Sequence, residues 1–372
     1  MKALASKQTE GRKLSHIQIC LKKNVMARSV RTGFEDVRLI HRALPEINLG
    51  EVDVTTEIFG HKLSTPLIIA AMTGGTAQAA KINSVLAEAA EQLGLGMGVG
   101  SQRAAIENSK LTYTFRIVRE KAPNAFLIAN IGCPQLTRGY GLKEAEAAVK
   151  MIKANALAIH MNPLQEAIQA EGETGYRGVL AKIGEICRSI SVPVIAKETG
   201  AGVAAEDAKV LESVGVKGLD VGGAGGTSWA AVEYYRAMGA RNSLHQRLGK
   251  TFWDWGIPTA VSLIEVKHST RLTTIATGGI RTGVDVAKAL ALGADAVGLA
   301  LPLLKPSIHG LKTLVTKLQF IIEELKTAMF LVGATEVRDL QKVPVVITGQ
   351  SAEWLRARGF QLRNLEAGEY AE

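Results

Sequence analysis

The chain has 372 residues, 47% hydrophobic and 21% charged, which is enough apolar material for a large core and excludes an intrinsically disordered protein. Thirty-eight glycines stand against 8 Phe, 6 Tyr and 4 Trp, so backbone is brought close to something under a core of Ala, Val, Ile and Leu. The formal charge is +9, and three scattered cysteines, Cys20, Cys133 and Cys187, exclude a disulfide framework or a Cys-rich zinc centre and fit a reducing compartment.

The N-terminus shows no apolar core of a secretory signal. Residues 1–42 hold ten Lys/Arg against three acids, so +7 of the +9 sits there. A basic arm suits an anionic ligand, either a phosphorylated small molecule or nucleic acid, or is a solvated tail. Within it, Arg12, Lys13 and His16 place three donor groups in five residues, a set that suits a diphosphate but is too short to be specific.

From residue 67 the pattern becomes rhythmic. Short apolar runs start at Leu67, Gly94, Phe126, Ala156, Val192, Gly218, Thr273 and Ala296. None alternates with period two, as expected for parallel strands buried on both faces. The spacings are 27, 32, 30, 36, 26, 55 and 23 residues, and all but the 55 fit one βα unit. Eight units predict an α/β fold, a (β/α)₈ TIM barrel over 67–304. Helices are expected at 81–93, 143–154, 207–214 and 283–292, and from Ser228 and Thr259. The long sixth gap predicts an insertion, with a polar, Trp-containing loop at 241–258. Residues 1–66 read as a basic arm and lead-in, and 305–372 as a helical extension plus a polar tail, all in one domain. The longest apolar stretch, 289–304, contains Asp295 and Pro302 and is too short to span a bilayer. A cytoplasmic protein without a membrane partner is expected.

In such barrels the chemistry sits at the C-terminal ends of the strands. Gly278-Gly279-Ile280-Arg281 after strand seven, followed by the strand-eight run, has the form of a two-strand phosphate site built from free N–H groups. Lys197 ends strand five inside an apolar run and must find an anion or polar partner. It could stand beside the N1/O2 edge of a reduced flavin, form a Schiff base, or pair with Glu198 or Asp220. Ser101 and Asn130 could bond the edges of a flat heterocycle. His160, Asn162, Gln165 and Glu166 cluster after strand four. Glu166 is either a hard-oxygen ligand, adequate for Mg²⁺ beside phosphate, or a helix N-terminal acid favoured by the macrodipole.

Taken in order, RKLSH, AMTGG, GVGSQR, ANIG, HMNPLQE, KETG, GGAGGTSW, ATGGIRTG and VGLALPLL resemble the type 2 isopentenyl-diphosphate Δ-isomerase family. The resemblance runs from about residue 11 to 305 and into the following helix. It implies interconversion of isopentenyl and dimethylallyl diphosphate with FMN, Mg²⁺ and NADPH or NADH as reductant of the flavin. It also implies a homotetramer or homo-octamer. FMN would contact Ala71, Met72, Thr73, Ser101, Asn130, Lys197, Thr227, Gly278, Gly279, Ala300 and Leu301. The diphosphate would meet Arg12, Lys13, His16, Ser101 and Arg103, with His160 and Asn162 nearby. Gln165 would lie beside the isoprenoid chain, orienting or relaying a proton, Glu166 would hold Mg²⁺, and Trp229 would line the apolar pocket. Lys197 would favour the anionic reduced flavin.

The residues are consistent with that reaction. Protonating an unactivated alkene needs a strong acid, and no paired carboxylates stand at the strand ends, so the cofactor must carry the hard chemistry. A 2-hydroxy-acid oxidase would need a His and Arg pair near strand seven, but His268 precedes it. An inosinate-type dehydrogenase would need a nucleophilic Cys in a Gly-Ser loop, and neither Cys133 nor Cys187 fits. Few aromatics and no recognisable module argue against nucleic acid.

Overall fold

Eight short parallel strands close on themselves in chain order: Leu67–Ile69, Gly96–Gly98, Leu127–Gly132, Ala156–Met161, Val194–Glu198, Gly218–Asp220, Thr273–Thr277 and Ala296–Leu299. Each falls within one of the eight expected apolar runs. The computed structural model describes residues 2–361, with side chains from residue 11 onward; the side chains of Lys2 and Lys7 in the expected arm, and 362–372 of the expected tail, lie outside that description. Almost every strand residue is buried, because the inner face fills the barrel and the outer face meets helices. The first of these helices, Ala77–Leu93, shows how the sequence sets its ends. The Thr76 hydroxyl accepts the Ala79 N–H, and Gly94 closes the helix at φ 62°. Its buried stripe, Ala79, Ile82, Leu86 and Ala90, recurs at helical spacing.

The N-terminal end of the barrel is plugged by a hairpin, Thr56–Ile58 with His61–Leu63. Its Ile58 and Leu63, with Phe59, pack against Ile68, Phe126, Ile195 and Ile275. The opposite end is left for chemistry. There the register aligns Gly132 with His160, His160 with Lys197, and Lys197 with Asp220. Polar groups far apart in sequence thus share one level of the mouth.

The basic arm gains a structure, and two expectations are corrected. The basic arm is a helix, Lys2–Lys22, laid over the barrel mouth. A strap follows it: Ser228 N–H donates to Val25 O (2.8 Å), Ala27 N–H to Gly226 O (2.9 Å) and Trp253 Nε1 to Met26 O (2.9 Å). The expected loop 241–258 contains a helix, Ser243–Thr251. Asn242 caps it, and Gly249 lets its backbone approach Tyr234 where a Cβ would collide. The extension after the barrel is not purely helical. Beyond the helix Leu311–Val332, Val345–Ile347 pairs antiparallel with Val37–Leu39. No described helix is long and apolar enough to cross a membrane.

Candidate active site

One large cleft opens at the strand C-termini, roofed by the N-terminal helix. Every residue expected at the site lines it. The helix supplies Arg12, Lys13 and His16. The strand ends supply Ala71, Met72, Thr73, Ser101, Arg103, Asn130, His160, Asn162, Gln165, Glu166, Lys197, Thr227, Trp229, Gly278, Gly279, Ala300 and Leu301. Five cationic side chains, those of Arg12, Lys13, Arg103, Lys197 and Arg281, face the cleft against one carboxylate, Glu166. Such a wall selects anions.

On the strand-seven side the backbone is shaped for close approach. Gly278 and Gly279 adopt φ 126° and 74°, and a Cβ on Gly278 would strike the Gly223 backbone. Thr277 Oγ1 is buried with no hydrogen-bond partner. Arg281 is half-buried, and its guanidinium donates only to Ile280 O (2.8 Å) and Met26 Sδ (3.4 Å). Burial lowers its pKa from the usual arginine value against the opposing charge of nearby Asp285, and no described carboxylate forms a direct ion pair with it. An orphaned hydroxyl, an open backbone turn and a guanidinium short of an anion fit a phosphate-bearing cofactor.

On the facing side, Lys13 Nζ donates to Ser101 O at 2.7 Å and lies 5.2 Å from the Phe115 ring centroid. Burial, with the charges of Arg12 and Arg103, pulls its ammonium down to about 7. Arg103 is held by Glu107 (2.8 Å) and Glu173 (2.9 Å). His16 Nε2 lies 3.0 Å from Glu233 Oε1, and its ring meets Trp229 edge-on at 5.2 Å. Burial lowers the His16 pKa against the opposing pull of Glu233.

Glu233 is a residue that the sequence reading missed. It is buried behind the cleft lining, where it receives His16, Gln165 Nε2 (3.1 Å) and Arg236 Nη1 (2.5 Å). Burial would raise its carboxyl, but these partners hold it below the usual range. The available signal was a lone acid in the apolar helix Trp229–Gly239. Gln102 was missed as well. It is fully buried, and its Oε1 accepts Asn130 N–H at 2.8 Å while its Nε2 donates to Ala148 O at 2.8 Å.

At the end of strand four, Asn162 Nδ2 donates to Gln165 Oε1 and to Glu166 Oε1, both at 3.0 Å. Glu166 Oε2 accepts the Glu173 N–H at 2.7 Å. Among the described residues no group of three or more His, Cys, Asp or Glu could hold a metal. A Mg²⁺ at Glu166 would therefore share its shell with phosphate oxygens and water, as Mg²⁺ commonly does. His160 Nδ1 lies 2.7 Å from Asn130 Oδ1. Burial, with the charges of Lys197, Lys13 and Arg12, drives His160 down to about 3, so the imidazole is neutral at working pH. Nδ1 then carries the proton toward Asn130 and Nε2 is an acceptor. Lys197 Nζ donates to Glu198 O (2.7 Å) and stands 3.5 Å from Asp220 Oδ2. His268 lies outside the cleft, 6.3 Å from the Phe360 ring, so it cannot serve a hydroxy-acid oxidase here.

The sequence profile described as FMN-dependent dehydrogenase matches residues 5–132 and 134–346. A flavocytochrome b2 variant with sulfite bound has a similar fold, with a TM-score of 0.64 at 17% identity over 91% of this chain and 83% of that one. A mandelate oxidase variant carrying an FMN adduct gives 0.58 at 18% identity over 86% and 90%. Fold, cleft and profile define an FMN-dependent (β/α)₈ enzyme. The isopentenyl-diphosphate delta-isomerase of Methanosarcina mazei is 51% identical over 357 residues, 96% of this chain and 97% of that one. The enzyme of the same name from Pyrococcus furiosus is 52% identical over 355 residues, 93% and 89%. The chain belongs to the isopentenyl-diphosphate delta-isomerase family and is an FMN-linked isomerase of isopentenyl and dimethylallyl diphosphate.

Proposed function

We propose the following division of labour for this isomerisation. Arg12, Lys13, His16 and Arg103 bind the diphosphate, with Ser101, His160 and Asn162 beside it. Ala71, Met72, Thr73, Ser101, Asn130, Lys197, Thr227, Gly278, Gly279, Ala300 and Leu301 hold FMN, joined by Thr277 and Arg281 at its phosphate. Reduced FMN supplies an electron-rich ring and a nitrogen that can give and take a proton, which the protein's own side chains do not offer. Trp229 gives the isoprenoid chain an apolar wall. Gln165 is held by Asn162 and Glu233, so it orients the chain and relays protons without being a strong acid itself. Glu166 binds a Mg²⁺ shared with the diphosphate. The roof helix and strap exclude water from a developing cationic centre.

The observation that carries this reading is the polarity of the cleft: an anion-binding group of cations on one side and an unpaired hydroxyl, open glycine turn and arginine on the other. NADPH or NADH serves as reductant of the flavin, and the chain works as one cytoplasmic unit assembled into a homotetramer or homo-octamer. The test is direct. Purified protein with FMN, Mg²⁺ and dithionite or NADPH should convert isopentenyl to dimethylallyl diphosphate without stoichiometric use of reductant. No turnover with fully bound, reduced FMN would overturn the reading.

A further inference from the structure

Lys197 and Asp220 are register partners on adjacent strands, with side chains 10% and 8% exposed. Lys197 reaches the cleft, whereas Asp220 lies beneath it, in a small cavity lined by Ile68, Ile128, Ile195 and Ile275. A charged ammonium in such surroundings needs a fixed counter-charge or it loses its proton. The neighbouring groups leave one source. Glu198 follows Lys197 on the same strand and feels its charge, but burial pushes its carboxyl up to about 7 and its Oε2 is taken by the N–H groups of Gly200, Ala201 and Gly202 (2.6, 2.5 and 3.2 Å). His160, the partner on the other side, is neutral. Asp220 Oδ1 accepts the Gly222 N–H at 3.2 Å, which leaves Oδ2 toward the ammonium. With one N–H on Glu198 O and one toward Asp220, the third points free of both.

We infer that Asp220 is a positioning residue for the isomerase, the buried counter-ion that keeps Lys197 cationic and directs its remaining N–H toward the flavin. It touches neither substrate nor cofactor and acts through Lys197 alone. The inference rests on the FMN reading above. The barrel floor then contributes, beside the cleft wall, to the charge that the flavin experiences.

The test uses the holoenzyme and the D220N variant, which keeps shape and removes charge. Wild-type enzyme should bind FMN. In D220N the ammonium loses that counter-charge, so the ratio of kcat at pH 7 to kcat at pH 9 should rise roughly tenfold over wild type. The spectrum of the bound reduced flavin should change over the same pH interval, while KM for isopentenyl diphosphate stays near wild type. In a D220N/K197R background, where the cation cannot be titrated, the new limb should vanish. Should D220N fail to fold, D220S makes the same measurement. A variant with the wild-type pH profile and flavin spectrum overturns the inference, as does a new limb that survives K197R. A wild-type protein that binds no FMN would instead overturn the parent reading.

Discussion

His16 Nε2 and Glu233 Oε1 are 3.0 Å apart, and that contact ties the roof helix to the helix that follows strand six. Because the same oxygen also receives Gln165 Nε2, one buried carboxylate couples a residue of the roof to a residue of the barrel mouth. Replacing it by the neutral isostere in Glu233→Gln should leave FMN affinity unchanged. It should lower kcat by about 10- to 100-fold, the scale of losing a preorganised electrostatic contact. Steady-state kinetics beside a flavin titration of the apoprotein separates the two effects.

Lys13 gives a pH dependence with a definite sign. Its folded value of about 7 means that the free enzyme presents a charged ammonium below neutrality and a neutral amine above it. A diphosphate prefers the charged form, so kcat/KM should decline as pH rises through 7. Lys13→Arg should move that limb beyond pH 9, because a guanidinium stays protonated. A profile unchanged by the substitution would show that another group titrates.

Thr277 and Arg281 should report on the cofactor and not on the substrate. Thr277→Val removes the orphaned hydroxyl at little steric cost, and Arg281→Ala removes a guanidinium that no described carboxylate pairs with. Charged hydrogen bonds of this kind are worth about 1.5–3 kcal/mol, or roughly 10- to 150-fold in affinity. The FMN Kd of Arg281→Ala, read by fluorescence quenching, should rise by that factor, and that of Thr277→Val by less. KM for isopentenyl diphosphate at saturating FMN should change little in either variant.

Glu166 should carry the divalent-ion requirement. Glu166→Gln keeps an acceptor for the Glu173 N–H and removes the charge. The Mg²⁺ concentration for half-maximal activity should rise at least about tenfold if Glu166 is an anionic protein ligand of the ion. FMN binding measured without Mg²⁺ should be unaffected.

All eight barrel strands were legible because each is buried on both faces and so appears as an apolar run ending in polar or glycine residues. The same simplicity exposed the site, since strand ends such as Asn130, His160 and Lys197 interrupt those runs. The roof helix was not legible. Lys2–Lys22 carries mostly polar residues, its apolar stripe, Leu14, Ile17 and Leu21, is confined to its second half, and there Ile17 packs into the core while His16 meets Trp229. Glu233 escaped notice for a different reason. Its helix reads as ordinary core packing, and only the arrival of His16, Gln165 and Arg236 from distant or neighbouring turns gives the carboxylate a purpose. The pairing of Val37–Leu39 with Val345–Ile347 lay beyond local reading, because three-residue strands offer too little period to detect.

That last pairing ties the two flanks of the barrel to each other. Val37–Leu39 lies between the roof helix and the first barrel strand, and its partner Val345–Ile347 follows the eighth, so segments from opposite ends of the barrel sequence share one small sheet. Removing Val345–Ile347 would therefore leave the lead-in to the barrel without its strand partner, although the cleft lies elsewhere.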